Sequence, residues 1–144
     1  MKDIVRKTFS VEGGNFENAG IASIEIKKIL KALGIQDDVL RKTAIAVYES
    51  ELNIISYARK GIINLVVTDS DINIDVRDEG PGIEDIELAM QPGYSTATEQ
   101  IRQMGFGAGM GLCNIKSCSD RFEIASTVNE GTHLKVSIAR GNDR

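Results

Sequence analysis

The sequence predicts an α+β fold, a two-layer sandwich in which two or three helices cover one face of a mixed, mostly antiparallel sheet. Stretches in which apolar and polar residues alternate, as they do in half-buried strands, are joined in pairs by short turns. Other stretches carry apolar residues three and four positions apart, which is the helical period. The chain of 144 residues is long enough to bury a core of its own, so we expect one domain over residues 1–144.

The first part of the chain predicts one strand followed by two helices. Residues 5–11 alternate apolar and polar side chains in the manner of an edge strand. Residues 16–33 place apolar side chains on one stripe of a helix, and a second helix is predicted over residues 38–58. Asp37 is the expected N-cap of this second helix, because its carboxylate can accept a backbone N–H that has no helical partner.

Two hairpins and two further helices are predicted in the remainder of the chain. The turn of the first hairpin is Asp69-Ser70-Asp71, and the turn of the last is Asn129-Glu130-Gly131. Between them, residues 91–104 show no clear period, which predicts a long loop. The expected elements are strands at residues 62–68 and 72–77, a short helix at 83–90, a helix at 108–119, and strands at 121–127 and 132–139.

The bulk composition is that of an ordinary globular protein, with 42% hydrophobic and 26% charged residues. The formal net charge of -4 argues against a protein that binds nucleic acid through a basic face. No apolar run approaches the roughly 20 residues of a membrane span, and the N-terminus lacks a signal-peptide pattern. Cys113 and Cys118 are spaced for neither a Cys-x-x-Cys redox motif nor a zinc site. We therefore expect a cytoplasmic protein with reduced thiols and no direct contact with a membrane or nucleic acid.

Residues 105–112 form a stretch in which four glycines alternate with other residues before a predicted helix begins. Glycine has no Cβ, so such a backbone can approach a ligand closely. A loop of this kind that opens into a helix presents free N–H groups and the positive end of the helix dipole, which favour a phosphate. The alternative is a loop whose glycines supply only flexibility.

A narrow polar stripe runs along the second predicted helix. Glu49, Asn53 and Ser56 fall on one side of this helix, flanked by Ile45 and Leu52. The rest of the helix is apolar on almost every side, which predicts a central position in the fold. Polar groups in such surroundings need partners or a ligand, so we expect the stripe to face a cleft rather than open solvent. A solvated polar pair is the alternative.

The segment Asp78-Glu79-Gly80-Pro81-Gly82 follows the alternating run 72–77 and is either an ordinary turn or part of a site. Taken in order, Glu-x-x-x-Asn, Asp-x-Gly-x-Gly, Gly-x-Gly-x-Gly-x-Gly-Leu and the late Gly131-Thr132 resemble the Bergerat-fold (GHKL) ATPases. That superfamily includes gyrase B, MutL, the histidine kinases and the bacterial anti-sigma-factor serine kinases. The resemblance spans residues 2–138, and the compact length together with Gly93-Tyr94-Ser95-Thr96 is most similar to the anti-sigma kinases.

This resemblance implies an ATP site with Mg²⁺. Asp78 would accept the adenine amino group with support from Thr132, and Asn53 would bind the metal ion, which prefers oxygen ligands. Glu49 would take a proton from the attacking hydroxyl. The full set of implied nucleotide-binding residues is Asn53, Tyr57, Asp78, Gly80, Gly82, Ser95, Thr96, Gly105, Gly107, Gly109, Met110, Gly111, Leu112 and Thr132.

Some positions in and around this set depart from the family or lie outside its pattern. Tyr57 matches a position where the family often has His or Tyr, but Ser56 stands where histidine kinases commonly have Lys. Another group must then support the phosphates, and the basic candidates are otherwise ordinary surface charges. Glu51 points away from the stripe and is expected to be structural or exposed, and His133 to be structural. The basic candidates are Arg59, Lys60, Arg102 and Lys116.

Three functions are left open by the sequence. The leading one is a serine/threonine kinase that phosphorylates a small anti-anti-sigma (STAS-type) partner, with a sigma factor as a further partner and a homodimer as an option. The second is a histidine-kinase catalytic domain, and the third is a nucleotide-dependent binding switch without catalysis. Residues 84–104 are expected to form a lid, so that hydrogen exchange in residues 91–104 slows when Mg-ATP binds. No P-loop or eukaryotic kinase motif is present.

Overall fold

A computed structural model describes residues 3–92 and 111–141 of the chain. It confirms the α+β class, with a five-stranded sheet and helices packed on one of its faces. In chain order the elements are β1 (Asp3–Glu12), a short 3-10 helix (Phe16–Asn18), α1 (Ile21–Ala32), α2 (Asp37–Tyr57), β2 (Lys60–Thr68), β3 (Asp71–Glu79), α3 (Ile86–Ala89), α4 (Gly111–Cys118), β4 (Arg121–Thr127) and β5 (Gly131–Ala139).

The strands lie in the order β1-β2-β3-β5-β4. Every pairing between these described strands is antiparallel, so the prediction of a mixed sheet is wrong in that respect. Both predicted hairpins are present, β2–β3 and β4–β5, and the second has Asn129 at φ 69 in its turn. The pairing of β3 with β5, which sets Asp71 opposite Ala139, joins the two hairpins into one sheet.

The core lies between the sheet and the helices α1 and α2. Alternate residues of β2 and β3 are buried, which gives each of these strands one apolar face toward the helices. The side chains with no more than 1% of their surface exposed come from both layers and from α4, and include Ile26, Leu30, Val47, Ile54, Ile63, Leu65, Ile72, Ile74 and Ile115.

The N-terminus of α1 departs from the predicted helix, which was expected to run without a break from residue 16. The backbone leaves the 3-10 turn and passes through Gly20 at φ 99, and α1 begins only at Ile21. Glu51 of α2 explains this start, because its carboxylate accepts the backbone N–H groups of Gly20, Ala22 and Ser23 at 3.2, 3.1 and 2.9 Å. Burial raises the pKa of the Glu51 carboxyl, and the three N–H donors lower it in part. Glu51 is therefore a structural residue.

The helix α2 is close to its predicted length, but two details differ. Asp37 is the first helical residue rather than the N-cap, a position that Gln36 takes without a side-chain capping bond. Ile45 is 39% exposed and Tyr48 is 37% exposed, so α2 has an outer face and is not enclosed on all sides. Its central position comes from the opposite face, which packs on the sheet.

Several predictions fall at the edge of the described residues. Most of the predicted lid and the predicted start of α4 at residue 108 lie outside the described residues. So do the glycine stretch up to Met110 and the individual residues Gly93, Tyr94, Ser95, Thr96 and Arg102. The short helix expected at 83–90 is observed as α3, whose first turn Asp85 caps by accepting the Leu88 N–H at 3.0 Å. Both cysteines are free thiols. Across residues 3–92 and 111–141, no helix has the length and apolar character of a membrane span.

Candidate nucleotide-binding site

A cavity of about 870 Å³ opens between α2, the end of β3, α3 and the start of α4. Its walls bring together side chains that are far apart in the sequence, because the β3–β5 pairing and the packing of α4 on α2 meet here. The sequence-predicted site residues on its walls are Glu49, Asn53, Tyr57, Asp78, Gly82, Gly111, Leu112 and Thr132.

One end of the cavity is built on the carboxylate of Asp78. Its Oδ1 accepts the backbone N–H of Thr132 at 3.1 Å, across the β3–β5 pair. Burial raises the pKa of the Asp78 carboxyl above its usual value, and the Thr132 N–H lowers it in part. Oδ2 then stays available to accept a hydrogen bond from a ligand.

Two glycines allow the backbone around Asp78 to close tightly. Gly131 has φ 147, and a Cβ there would lie 2.0 Å from the carbonyl oxygen of Asp78. Gly82 has φ 73, and a Cβ there would lie 2.3 Å from the carbonyl oxygen of Thr127. Both positions therefore require glycine, for conformation and for space. Gly80, by contrast, packs against Ala58 rather than on the cavity wall, since its Cβ would lie 3.1 Å from the Ala58 Cα.

Ser126 connects these segments through hydrogen bonds, and it is not among the site residues predicted from the sequence. Its hydroxyl accepts the Ile83 N–H at 2.8 Å, lies 3.0 Å from the Gly131 carbonyl oxygen, and lies 2.9 Å from the Thr132 hydroxyl. A signal existed in the alternation of β4, where Ser126 falls on the same face as Phe122. A polar side chain on that face needs partners within the fold.

The other end of the cavity is built on the predicted polar stripe of α2. Glu49 is half-buried, and its Oε2 accepts the side-chain amide N–H of Asn114 at 2.8 Å. One turn later, Asn53 faces the first residue of α4, where a Cβ on Gly111 would lie 3.2 Å from Asn53 Oδ1. The stripe does face a cleft, as its surroundings predicted.

Asn114 is a second cavity residue that was not predicted from the sequence. It lies on α4, and its partner Glu49 is 65 residues away in the sequence. A single polar residue on a short helix carries no periodic signal, so only the packing of α4 against α2 identifies the contact.

Basic residues are missing from the described walls of the cavity. Arg59 forms a salt bridge with Glu79, and Lys60 Nζ lies 3.4 Å from the same carboxylate. The Arg59 hydrogen bond is the main cause of the lowered pKa of Glu79. Lys116 is exposed on α4. Among the described residues, no Lys or Arg side chain lines the cavity to neutralise a bound phosphate.

A preformed metal centre is also missing from residues 3–92 and 111–141, where no cluster of three or more His, Cys, Asp or Glu side chains forms one. His133 has a different role from the site residues, because its Nε2 lies 2.9 Å from Asp75 on the neighbouring strand. The amide oxygen of Asn53 suits a cation that keeps most of its other ligands as water or ligand oxygens, as Mg²⁺ does.

Comparison with known proteins places these observations in a family. Residues 17–138 match the family model of the histidine kinase-like ATPase domain. The chain is 38% identical over 104 residues to the anti-sigma F factor of Caldanaerobacter subterraneus, covering 69% of each chain. It is 32% identical over 132 residues to the anti-sigma F factor of Geobacillus kaustophilus, covering 86% of this chain and 87% of that protein.

Two further similarities concern a kinase and a solved structure. The chain is 33% identical over 114 residues to the serine/threonine-protein kinase RsbT of Bacillus subtilis, covering 76% of this chain and 80% of that protein. The fold is similar to the catalytic domain of the histidine kinase ThkA, with a TM-score of 0.51 at 15% identity over 95% of this chain and 97% of the other.

Proposed function

The chain belongs to the family of histidine kinase-like ATPase domains, and we propose on that basis that it is an ATP-dependent serine/threonine protein kinase of the anti-sigma-factor type. One observation carries the proposal: a single cavity is lined by both Asp78, the proposed adenine anchor, and Glu49, the proposed base. The named relatives, anti-sigma F factors and the kinase RsbT, support the choice of a serine or threonine as acceptor.

In this proposal the adenine ring binds at the β3–β5 end of the cavity. Asp78 Oδ2 accepts the exocyclic N–H of adenine, because Oδ1 already accepts the Thr132 N–H at 3.1 Å. A carboxylate is a strong acceptor in a partly desolvated cavity. The Thr132 hydroxyl, held 2.9 Å from Ser126, is placed to contact the ring directly or through a water molecule.

The phosphates then extend toward α2 and α4. Asn53 would hold Mg²⁺ through its amide oxygen, and the ion would neutralise charge on the phosphate oxygens. Gly111 leaves room at this point, since a Cβ there would crowd Asn53 Oδ1 at 3.2 Å. In this assignment the metal ion supplies positive charge that no Lys or Arg on the described walls of the cavity provides.

The transfer step is a displacement at the γ-phosphorus. The hydroxyl oxygen of the acceptor forms a bond to phosphorus, the bond between phosphorus and the β,γ-bridging oxygen breaks, and ADP leaves with the electron pair. Glu49 accepts the hydroxyl proton through Oε1, which accepts no hydrogen bond from a described residue, since Oε2 is bonded to Asn114.

The acceptor in this proposal is a small anti-anti-sigma protein of the STAS type. A sigma factor is the second partner, and phosphorylation decides which of the two is bound. Such a role belongs in the cytoplasm, where transcription occurs. The names of the curated relatives support this assignment.

Loss of Glu49 should slow phosphate transfer strongly without abolishing ATP binding. We expect Glu49→Ala to lower the transfer rate by roughly 10²–10⁴-fold, because a general base contributes about that much. The measurement is transfer of ³²P from [γ-³²P]ATP with Mg²⁺ to each purified STAS-type protein of the host, beside ATP affinity by calorimetry. Glu123→Ala, which removes an exposed glutamate from β4 outside the cavity, is the matched control.

The outcomes separate the candidate functions. Transfer by the wild type that Glu49→Ala loses and Glu123→Ala keeps supports the kinase. Transfer that Glu49→Ala retains assigns the base to another residue. ATP binding with no transfer to any of these proteins would favour a nucleotide-dependent binding switch.

A further inference from the structure

The carboxylate of Glu49 is held by a side chain from another helix. Asn114 Nδ2 donates to Glu49 Oε2 at 2.8 Å, and both residues are half-buried on the cavity wall. An ionised carboxylate can only accept hydrogen bonds, so the amide NH₂ of Asn114 must be the group that faces it. One oxygen of Glu49 is thereby fixed, and Oε1 is left to face the reacting hydroxyl.

We propose that Asn114 is a positioning residue for phosphotransfer, which orients Glu49 without touching substrate. The inference rests on the proposed kinase function. A glutamate side chain has three rotatable bonds, and an unheld carboxylate would spend much of its time pointing away from the hydroxyl. A small misplacement of a reacting group lowers rates strongly, so a single bond that fixes its direction has a large effect.

The helix that carries Asn114 is firmly placed. Ile115, the next residue, is completely buried in the core, and the Cys113 thiol donates to the carbonyl oxygen of Met90. The backbone at Asn114 is therefore fixed from both sides of the helix. The amide of Asn114 therefore has a defined position from which to hold Glu49.

The same helix also sets the metal-binding end of the cavity. Gly111 lies three residues before Asn114 and packs against Asn53, while Asn114 contacts Glu49, four residues before Asn53. The α4 helix thus runs antiparallel to α2 and contacts both proposed functional residues with one face.

The test replaces the donor and keeps the shape. Asn114→Leu has similar size and no polar atoms, and Asn114→Asp has the same outline but sets a second carboxylate against Glu49 in place of the N–H donor. We expect each to lower kcat on the order of 10- to 100-fold while the KM for ATP stays within about two-fold. The reaction is ³²P transfer to a STAS-type protein that the wild type phosphorylates. Ser117→Ala, at an exposed position one turn later on the same helix, is the matched control and should transfer normally.

A double variant separates positioning from a general effect on the fold. If Asn114 acts only through Glu49, then Asn114→Leu should cause no further loss in the Glu49→Ala background. An independent loss there, or a normal kcat in both single variants, would overturn the inference and leave the kinase itself intact. Absence of transfer by the wild type would instead remove the kinase function, and the positioning role with it.

The contact itself can be measured without turnover. The side-chain amide resonances of Asn114, identified by their loss in Asn114→Leu, should shift in the Glu49→Ala protein but not in Ser117→Ala. If the Asn114 amide resonances are unchanged in Glu49→Ala, the hydrogen bond is not made in solution. That result would refute the proposal even if kcat falls in the Asn114 variants.

Discussion

The two ends of the cavity are built in different ways. At the Asp78 end, the decisive contacts involve the backbone: the Thr132 N–H on Asp78 and the close approach of Gly131 to the Asp78 carbonyl. At the Glu49 end, the decisive contact joins two side chains on two helices, Asn114 and Glu49. The first end is part of the sheet, and the second depends on how α4 packs on α2.

This difference teaches where binding and chemistry can be changed separately. Backbone contacts in the sheet cannot be removed without disturbing strand pairing, so the Asp78 end combines stability with the proposed recognition of adenine. Side-chain contacts between α2 and α4 can be removed singly, because the helices are held by other residues such as Ile54 and Ile115. Substitutions that disturb the backbone contacts of the first end should therefore affect folding and affinity together, whereas loss of the Asn114–Glu49 bond at the second should affect rate alone.

The largest effect at the sheet end is expected from Gly131→Ala. The φ of 147 is unfavourable for alanine, and the added Cβ would lie 2.0 Å from the Asp78 carbonyl oxygen. Because β3 and β5 must separate to make room, we expect a loss on the order of 3 kcal/mol in the free energy of unfolding. ATP affinity should fall by more than about 100-fold, since Asp78 moves with its strand. Urea denaturation and calorimetry measure the two quantities.

Gly14→Ala is the matched control for backbone strain alone. Gly14 has φ 78, and a Cβ there would meet no atom within 4 Å. We expect it to cost about 1 kcal/mol of stability with no change in ATP affinity. Equal losses of affinity in the two variants would show that the tight backbone at Asp78 has no special role.

Much of the sheet could be predicted from the sequence, because the alternation of apolar and polar residues indicates which side chains of a strand are buried. The β2–β3 hairpin was predicted from such a pattern, and α2 was placed within one residue at each end. The break before α1 could not be predicted, because it depends on Glu51 accepting N–H groups from residues about 30 positions earlier. The exposure of Ile45 could not be predicted either, because the helical period shows which residues share a face but not which elements cover that face.

Prediction of the site residues from the sequence is limited in the same way. The positions of Glu49 and Asn53 on the cavity wall could be predicted because their spacing puts them on one helical face, and that of Asp78 because it ends a strand before two glycines. Asn114 and Ser126 could not, since each acts through partners on another element. The residues proposed to contact the ligand belong to local sequence patterns. The residues that orient those side chains can be found only from the packing of one element on another.

A smaller effect is expected from Asp78→Asn. The amide oxygen can still accept the Thr132 N–H, so the strands should stay paired. Its NH₂ then faces the adenine amino group, donor against donor, in place of a charged acceptor. We expect ATP affinity to fall by about 10- to 100-fold, equivalent to roughly 1.5–3 kcal/mol, with little change in unfolding.

The control for this substitution is Asp75→Asn on the same strand. Asp75 points to the other face of the sheet, where it contacts His133 at 2.9 Å. Calorimetry should find normal ATP affinity in Asp75→Asn. A normal affinity in folded Asp78→Asn as well would move the adenine anchor elsewhere.

The smallest effect should appear in the pH dependence of ATP affinity. Burial raises the pKa of the Asp78 carboxyl above its usual value of 3.8, with the Thr132 N–H opposing this in part. ATP binding favours the ionised carboxylate, so a proton competes with ATP, and affinity should weaken as the pH falls through this raised pKa. The change should be on the order of five-fold, because a neutral carboxyl still makes an ordinary hydrogen bond. Titration of the phosphates is shared by all variants, so the informative quantity is the ratio of wild-type to Asp78→Asn affinity. That ratio should shrink toward acid, beginning at a higher pH than an unperturbed aspartate would give; a ratio that stays constant down to pH 4 would mean that the charge of Asp78 does not contribute to recognition of the nucleotide.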